Sequence, residues 1–152
     1  FRILADPSPE EARLLGAWGY SENRTVLHRD TSWLPENRRA WASWNYRHEP
    51  SIPKTFPATV TYYMNHLQRL GARDHYCVTL NPWKPVSASG IISEMVYHHP
   101  MYTFESMATQ PELSSLNGKR NTYFCGAYFG YGFHEDGTRS AVEMARLFGI
   151  DP

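Results

Sequence analysis

Four of the ten glycines, Gly126, Gly130, Gly132 and Gly137, crowd into one stretch that also carries His134, Glu135 and Asp136. Glycine at that density lets a backbone take positive φ angles and approach a ligand closely. A helix is expected over 138–148, and its N-terminus would present free N–H groups and partial positive charge, suited to a phosphate or to charge on a ring. The chemistry on offer is contact with a cofactor through the main chain. His134 is the side chain in the stretch able to carry a proton near neutral pH. The plainer reading of the same residues is a tight strand-to-helix connection, with His134 bonded to backbone. Glu135 and Asp136 are placed to hold loop amides, to cap the helix at Thr138 or to bind a ligand hydroxyl, and capping preference favours the cap for Asp136.

Elsewhere the chemistry is thinner. His98 and His99 are adjacent, so on a strand they point to opposite faces and do not share one ion; no metal site is expected. Cys77 and Cys125 form neither a CxxC pair nor a four-cysteine zinc set, and read as free buried thiols in a reducing compartment. No Gly-x-Ser-x-Gly element supports a serine hydrolase. Trp44, Tyr46 and Tyr62, together with Tyr131, are candidates to line a substrate cavity. Along with Trp41 and Tyr63 they are equally the kind of residue that fills a core.

Ser8, Pro9 and Glu11 predict a capped helix start, with the helix ending near Gly16. Strands are expected over 25–28, 40–46, 58–63, 75–80, 91–97 and 122–127, with a proline-broken loop over 49–57. A short helical turn over 64–71, closed by Gly71, and a helix over 103–116 followed by an Asn117-Gly118 turn complete the pattern. The expected fold class is α+β: a mostly antiparallel sheet of about five or six strands with few helices. A Rossmann GxGxxG is absent, since Glu135 stands where the third glycine would follow Gly130 and Gly132.

The 152 residues suit one domain with a real core. Fifteen basic residues balance fifteen acidic ones, leaving no net field for a phosphate backbone, so a nucleic-acid partner is not expected. No apolar run is long enough to span a bilayer and no signal peptide opens the chain, so a soluble, cytoplasmic protein is expected. The chain opens on Phe1 and runs almost directly into a helix cap, which reads as a piece of something longer.

The stretch from Tyr123 to Asp136-Gly137 and on to Ser140-Ala141 resembles the last motif of bacterial flavin-containing amine oxidases, a family of NAD/FAD-binding proteins. Leu4-Ala5-Asp6-Pro7-Ser8-Pro9, Val26-Leu27-His28-Arg29-Asp30, Trp41-Ala42-Ser43-Trp44-Asn45-Tyr46, Thr61-Tyr62-Tyr63-Met64-Asn65 and Tyr97-His98-His99-Pro100 resemble that family in the same order. The likeness covers nearly the whole chain. It implies FAD as cofactor and hydride transfer from a substrate to flavin. Family members are longer and begin with the Rossmann half that grips adenine and pyrophosphate. The resemblance therefore implies that residues 1–121 are the C-terminal part of a substrate-binding domain, that 122–152 are a strand, loop and helix returning to the FAD domain, and that the Rossmann half is absent.

Carried over to this sequence, Gly126, Ala127, Tyr128, Gly132, Phe133, His134, Glu135, Asp136, Gly137, Thr138 and Ser140 would contact the cofactor. His134 is the candidate for a catalytic role. A tyrosine that many family members place beside the flavin falls near Thr138 here, which leaves two substrate classes open: an amine, or the lipid-like substrate of a flavin-dependent desaturase or isomerase. A non-catalytic module for a hydrophobic ligand is the reading from a different class. The expected partners are FAD, an amine or apolar small molecule and the missing Rossmann half. A homodimer through the face that the missing half would cover is also open.

Overall fold

A computed structural model describes residues 3–150; Phe1, Arg2, Asp151 and Pro152 lie outside them. The first element forms as the sequence predicts. α1 (Pro9–Gly16) is capped by Ser8, whose hydroxyl accepts from Glu11 N while Ser8 N donates to Glu11 Oε2 at 2.7 Å. Such a cap contributes about 1 kcal/mol. Further on come β1 (Tyr20–His28), β2 (Trp44–Arg47), β3 (Thr59–Tyr63), α2 (Met64–Leu67), β4 (Cys77–Leu80), β5 (Ile91–Pro100), α3 (Phe104–Thr109) and α4 (His134–Arg146). The five strands form one sheet in the order β2-β3-β4-β1-β5, with antiparallel pairing of β2 to β3, β3 to β4 and β4 to β1. The fold is α+β, as expected. Among the described residues no helix is long and apolar enough to cross a membrane.

The chain divides into two compact units, residues 1–21 with 99–152, and residues 22–98. In the first, Leu14, Leu15 and Trp18 of the α1 region bury against Leu113 and Leu116 of the 3-10 segment Gln110–Leu116. A fully buried leucine contributes roughly 2 kcal/mol, so this cluster is the anchor of the unit. Phe124, Tyr128 and Phe129 pack on its margin, which ties the glycine-rich segment to it.

In the second unit one sheet face is buried. It carries Val26, His28, Thr59, Thr61, Tyr63, Cys77 and Thr79. Asp30 N donates to His28 Nδ1, so the ring proton sits on Nε2 and is donated to Thr79 Oγ1 at 2.7 Å; the Thr79 hydroxyl is then left to bond Thr61 Oγ1 at 2.9 Å. Burial pushes the His28 imidazole below its ordinary value, so the ring is held neutral.

Several expected elements fall elsewhere. The strand placed over 40–46 begins only at Trp44, because Arg38–Ala40 is a 3-10 turn capped by Asn37 and Ala42 N is taken by Asn45 Oδ1. The turn after α2 is closed by Arg69 at φ 52°, not by Gly71. No strand forms over 122–127: Phe124 N donates to Asn117 Oδ1 and Gly126 N to Ser140 Oγ, so side chains take the amides that a neighbouring strand would have needed. Cys77 is buried, and burial pushes its thiol up to about 12, but Cys125 is exposed, which corrects the expectation of two buried thiols.

Candidate functional site

The glycine-rich segment lies wholly in the first unit, and a carboxylate organises it. Asp136 is only 5% exposed, yet it keeps its charge. Burial pulls its carboxyl upward, but hydrogen bonds from Phe133 N and Tyr131 N, with the Arg139 guanidinium, outweigh that and hold it below the ordinary carboxylate range. Oδ2 accepts from Tyr131 N at 2.9 Å and Phe133 N at 3.1 Å, and Oδ1 accepts from Arg139 at 2.6 Å. This carboxylate sits where Gly130 leaves room. A Cβ added at Gly130 would lie 2.3 Å from Asp136 Oδ1.

Other side chains clamp the same loop. Gln110 Nε2 donates to Tyr128 O at 2.9 Å and Gly130 O at 2.7 Å, and Tyr102 Oη donates to Ala127 O at 3.2 Å. Ser140 Oγ accepts from Gly126 N at 2.9 Å and donates to Gly137 O at 2.8 Å. Gly132 takes φ 91°, the left-handed region that a side chain disfavours. Tyr128 is half-buried beside Trp18, and burial pushes its phenol up to about 12. Gln110 and Tyr102 were not legible as loop clamps, since the fold alone brings them to the loop, whereas Arg139 reaches Asp136 from three residues along the same helix.

The helix begins at His134 rather than at Thr138, which moves its N-terminus four residues earlier. Asp136 therefore sits inside the first turn and closes the loop from within, and does not cap Thr138. Gly137 and Thr138 are helical, and the Thr138 hydroxyl donates back to His134 O. The amides of His134 and Glu135 lie in the first turn, where no helical acceptor exists. Around them Phe133, His134 and Glu135 are exposed, and Tyr131 is 77% exposed. Of the expected cofactor contacts, Gly126, Asp136 and Ser140 are bonded within the loop and helix, and Ala127 and Tyr128 are held through their carbonyls by Tyr102 and Gln110. His134, Glu135, Phe133 and Thr138 face outward.

Gly137 differs from its neighbours. A Cβ there would meet only Ala127 N at 3.6 Å and Ala127 Cα at 3.9 Å, an ordinary contact. Packing within this chain does not demand glycine at that point, although glycine in a helix interior costs about 1 kcal/mol relative to alanine.

The aromatic candidates divide. Trp44 and Tyr62 face each other across β2 and β3 with ring centroids 5.4 Å apart, and both stand on the sheet face opposite the buried row. Trp44 is 56% exposed and Tyr46 66% exposed. Tyr62 pairs with Val78, and Val78 with Leu27, so this face continues into an apolar cavity of about 410 Å³ lined by Leu27, Met64, Leu70, Val78, Met95 and Tyr97 among others. Trp41 and Tyr63 are core: the Trp41 indole donates to Pro35 O and packs edge-on against Tyr63 at 5.2 Å. Tyr131 belongs to the other unit. Among the described residues no three His, Cys, Asp or Glu side chains gather to hold a metal.

No protein-family model matches the chain, and no curated protein matches it. The functional reading therefore rests on the motif residues and on this geometry.

Proposed function

We propose that the chain is the C-terminal part of an FAD-dependent oxidoreductase of the amine-oxidase type, moving hydride from a substrate C–H or C–N unit to flavin. The observation that carries this reading is the first turn of α4: exposed His134 and Glu135, whose amides have no helical acceptor, flanked by exposed Tyr131 and Phe133 rings, on a loop hydrogen-bonded by Asp136, Gln110 and Ser140. That chemistry fits the carbonyl edge and flat face of a heteroaromatic ring. It fits as one wall only, because Asp136 has already claimed the amides of Tyr131 and Phe133. FAD, when bound, supplies the redox chemistry.

The chain's own residues have narrower tasks. The His134 and Glu135 amides, at the positive end of α4, donate toward developing negative charge. The exposed His134 imidazole holds or moves a proton there, while Asp136 keeps the loop in place. Gly137 lets a ligand approach where packing leaves space. The grip on adenine and pyrophosphate is assigned to a Rossmann half outside this chain, and the exposed Phe104, Tyr131 and Phe133 suit burial against such a partner.

The apolar cavity beside Leu27 and Val78 favours a second substrate class, the lipid-like substrate of a desaturase or isomerase, over an amine. The same cavity would serve a non-catalytic hydrophobic-ligand module. To separate these, the longer protein carrying this chain is mixed without oxygen with primary amines or with long-chain unsaturated substrates, and its flavin colour is followed. Bleaching by one class names the substrate, and His134→Gln should slow it about 10²-fold if the imidazole moves a proton. A flavin that neither class bleaches would sink the oxidoreductase reading.

A further inference from the structure

The second unit holds a polar cavity of about 780 Å³, beneath the turn that follows β1 and beside β2. That volume lies in the range of small-molecule sites. Three cations line it, Arg38, Arg47 and Lys84, and each is laid over an indole. The Arg38 guanidinium sits 5.3 Å from the Trp41 ring centre, Arg47 sits 5.4 Å from Trp83, and the Lys84 ammonium sits 5.2 Å from Trp33. Among the described residues none of the three has a carboxylate within ion-pair distance; Arg39, Lys54, Arg69 and Arg73 share that state, but none of those lines the cavity or lies over an indole.

The lining also carries two carboxylates, Asp30 and Glu36, so three cations face two anions. Asp30 is committed to backbone, with Oδ1 accepting from Ser32 N at 2.9 Å and Oδ2 from Ser87 N at 3.0 Å. Burial raises its carboxyl, but these amides outweigh burial and keep it ionised and fixed. Glu36 is exposed. Stacking on an indole also strips water from one side of each cation and fixes its direction, so that less ordering remains to be done when an anion arrives. Arg47 is pinned further, since Nη1 donates to Ser32 O at 3.1 Å, leaving the rest of its fork to bind.

We propose that this cavity binds a small polyanion, a ligand carrying two or more negative charges on phosphoryl or carboxylate groups. It is independent of the flavin reading, because it uses no residue of the glycine-rich loop. Charge on the ligand replaces the missing carboxylate partners of Arg38, Arg47 and Lys84, and the indoles hold those cations in place around it.

The test is calorimetric titration of the whole chain with inorganic pyrophosphate and, separately, with citrate. One saturating site is expected, weakened at least tenfold by Arg47→Ala and by Arg38→Ala, weakened further by added salt, and unchanged by Arg146→Ala in the other unit. Lys84→Met keeps the aliphatic stem over Trp33 and removes only the charge, so its loss of binding is not a folding artefact; unfolding curves check the two arginine variants. Tighter binding of pyrophosphate than of citrate assigns a phosphoryl ligand, and the reverse assigns a carboxylate ligand. Absence of a saturating site, or equal weakening by Arg146→Ala, overturns the proposal.

Discussion

The glycine-rich loop and the polar row beneath the sheet solve the same problem in opposite ways. In the loop, Asp136, Arg139 and Ser140 lie within fifteen residues of the amides and carbonyls they serve, so most of the network is local, with Gln110 and Tyr102 reaching in from farther along the chain. Under the sheet, His28, Thr61 and Thr79 come from three strands, and no two are neighbours in sequence. A local network leaves a motif that can be read, while one assembled by strand pairing leaves only scattered threonines and a histidine. The loop is accordingly visible in the sequence as a glycine cluster, and the row is not.

The largest expected effect breaks the loop. Gly130→Ala puts a carbon 2.3 Å from Asp136 Oδ1, and overpacking of that kind should cost about 3 kcal/mol in urea unfolding. A cost near zero would mean that Asp136 is not held there. Next comes the row: Thr79→Val leaves the His28 Nε2–H and Thr61 without their shared partner, and should cost about 2 kcal/mol by the same measurement.

Acid separates the two networks further. The lowered His28 value means that the unfolded chain binds the proton more readily, so stability should fall as the pH drops through about 6.5, the ordinary histidine value. Asp136 acts in the same sense but in a lower window. Its stabilisation is present above about 3.9, the ordinary aspartate value, and is lost only as the pH falls from there through its lowered folded value. Amide exchange should therefore loosen around β1 and β4 before it loosens around the loop, and His28→Gln should flatten the first decline. Simultaneous loosening would deny the separation. The smallest effect is a gain. Gly137→Ala should stabilise the chain by up to about 1 kcal/mol, since nothing among the described residues opposes the added methyl.

How far the sequence was legible follows from the same contrast. The α1 cap and the cores of β1, β3, β4 and β5 were readable, because a hydroxyl before a helix and β-branched runs act locally, while the helix expected over 103–116 is α-helical only to Thr109 and 3-10 from Gln110, where Pro111 follows. The start of α4 was misplaced because Gly137 and Thr138 look like loop residues, while the structure places them one turn inside a helix that Asp136 closes from within. The strand expected at 122–127 failed because Asn117 and Ser140 took its amides. The cavity of Arg38, Arg47 and Lys84 had no sequence signal, for its cations reach one space only after the chain turns back at β2.

The central claim is that the first turn of α4 forms one wall of a flavin site whose main grip lies outside this chain. It is tested most directly by the visible absorbance of the longer protein as purified, set beside a fluorescence titration of this chain with FAD. The account predicts a yellow protein with one flavin per chain, and weak or no binding by residues 1–152 alone. A colourless longer protein, or tight stoichiometric FAD binding by this chain by itself, would contradict it.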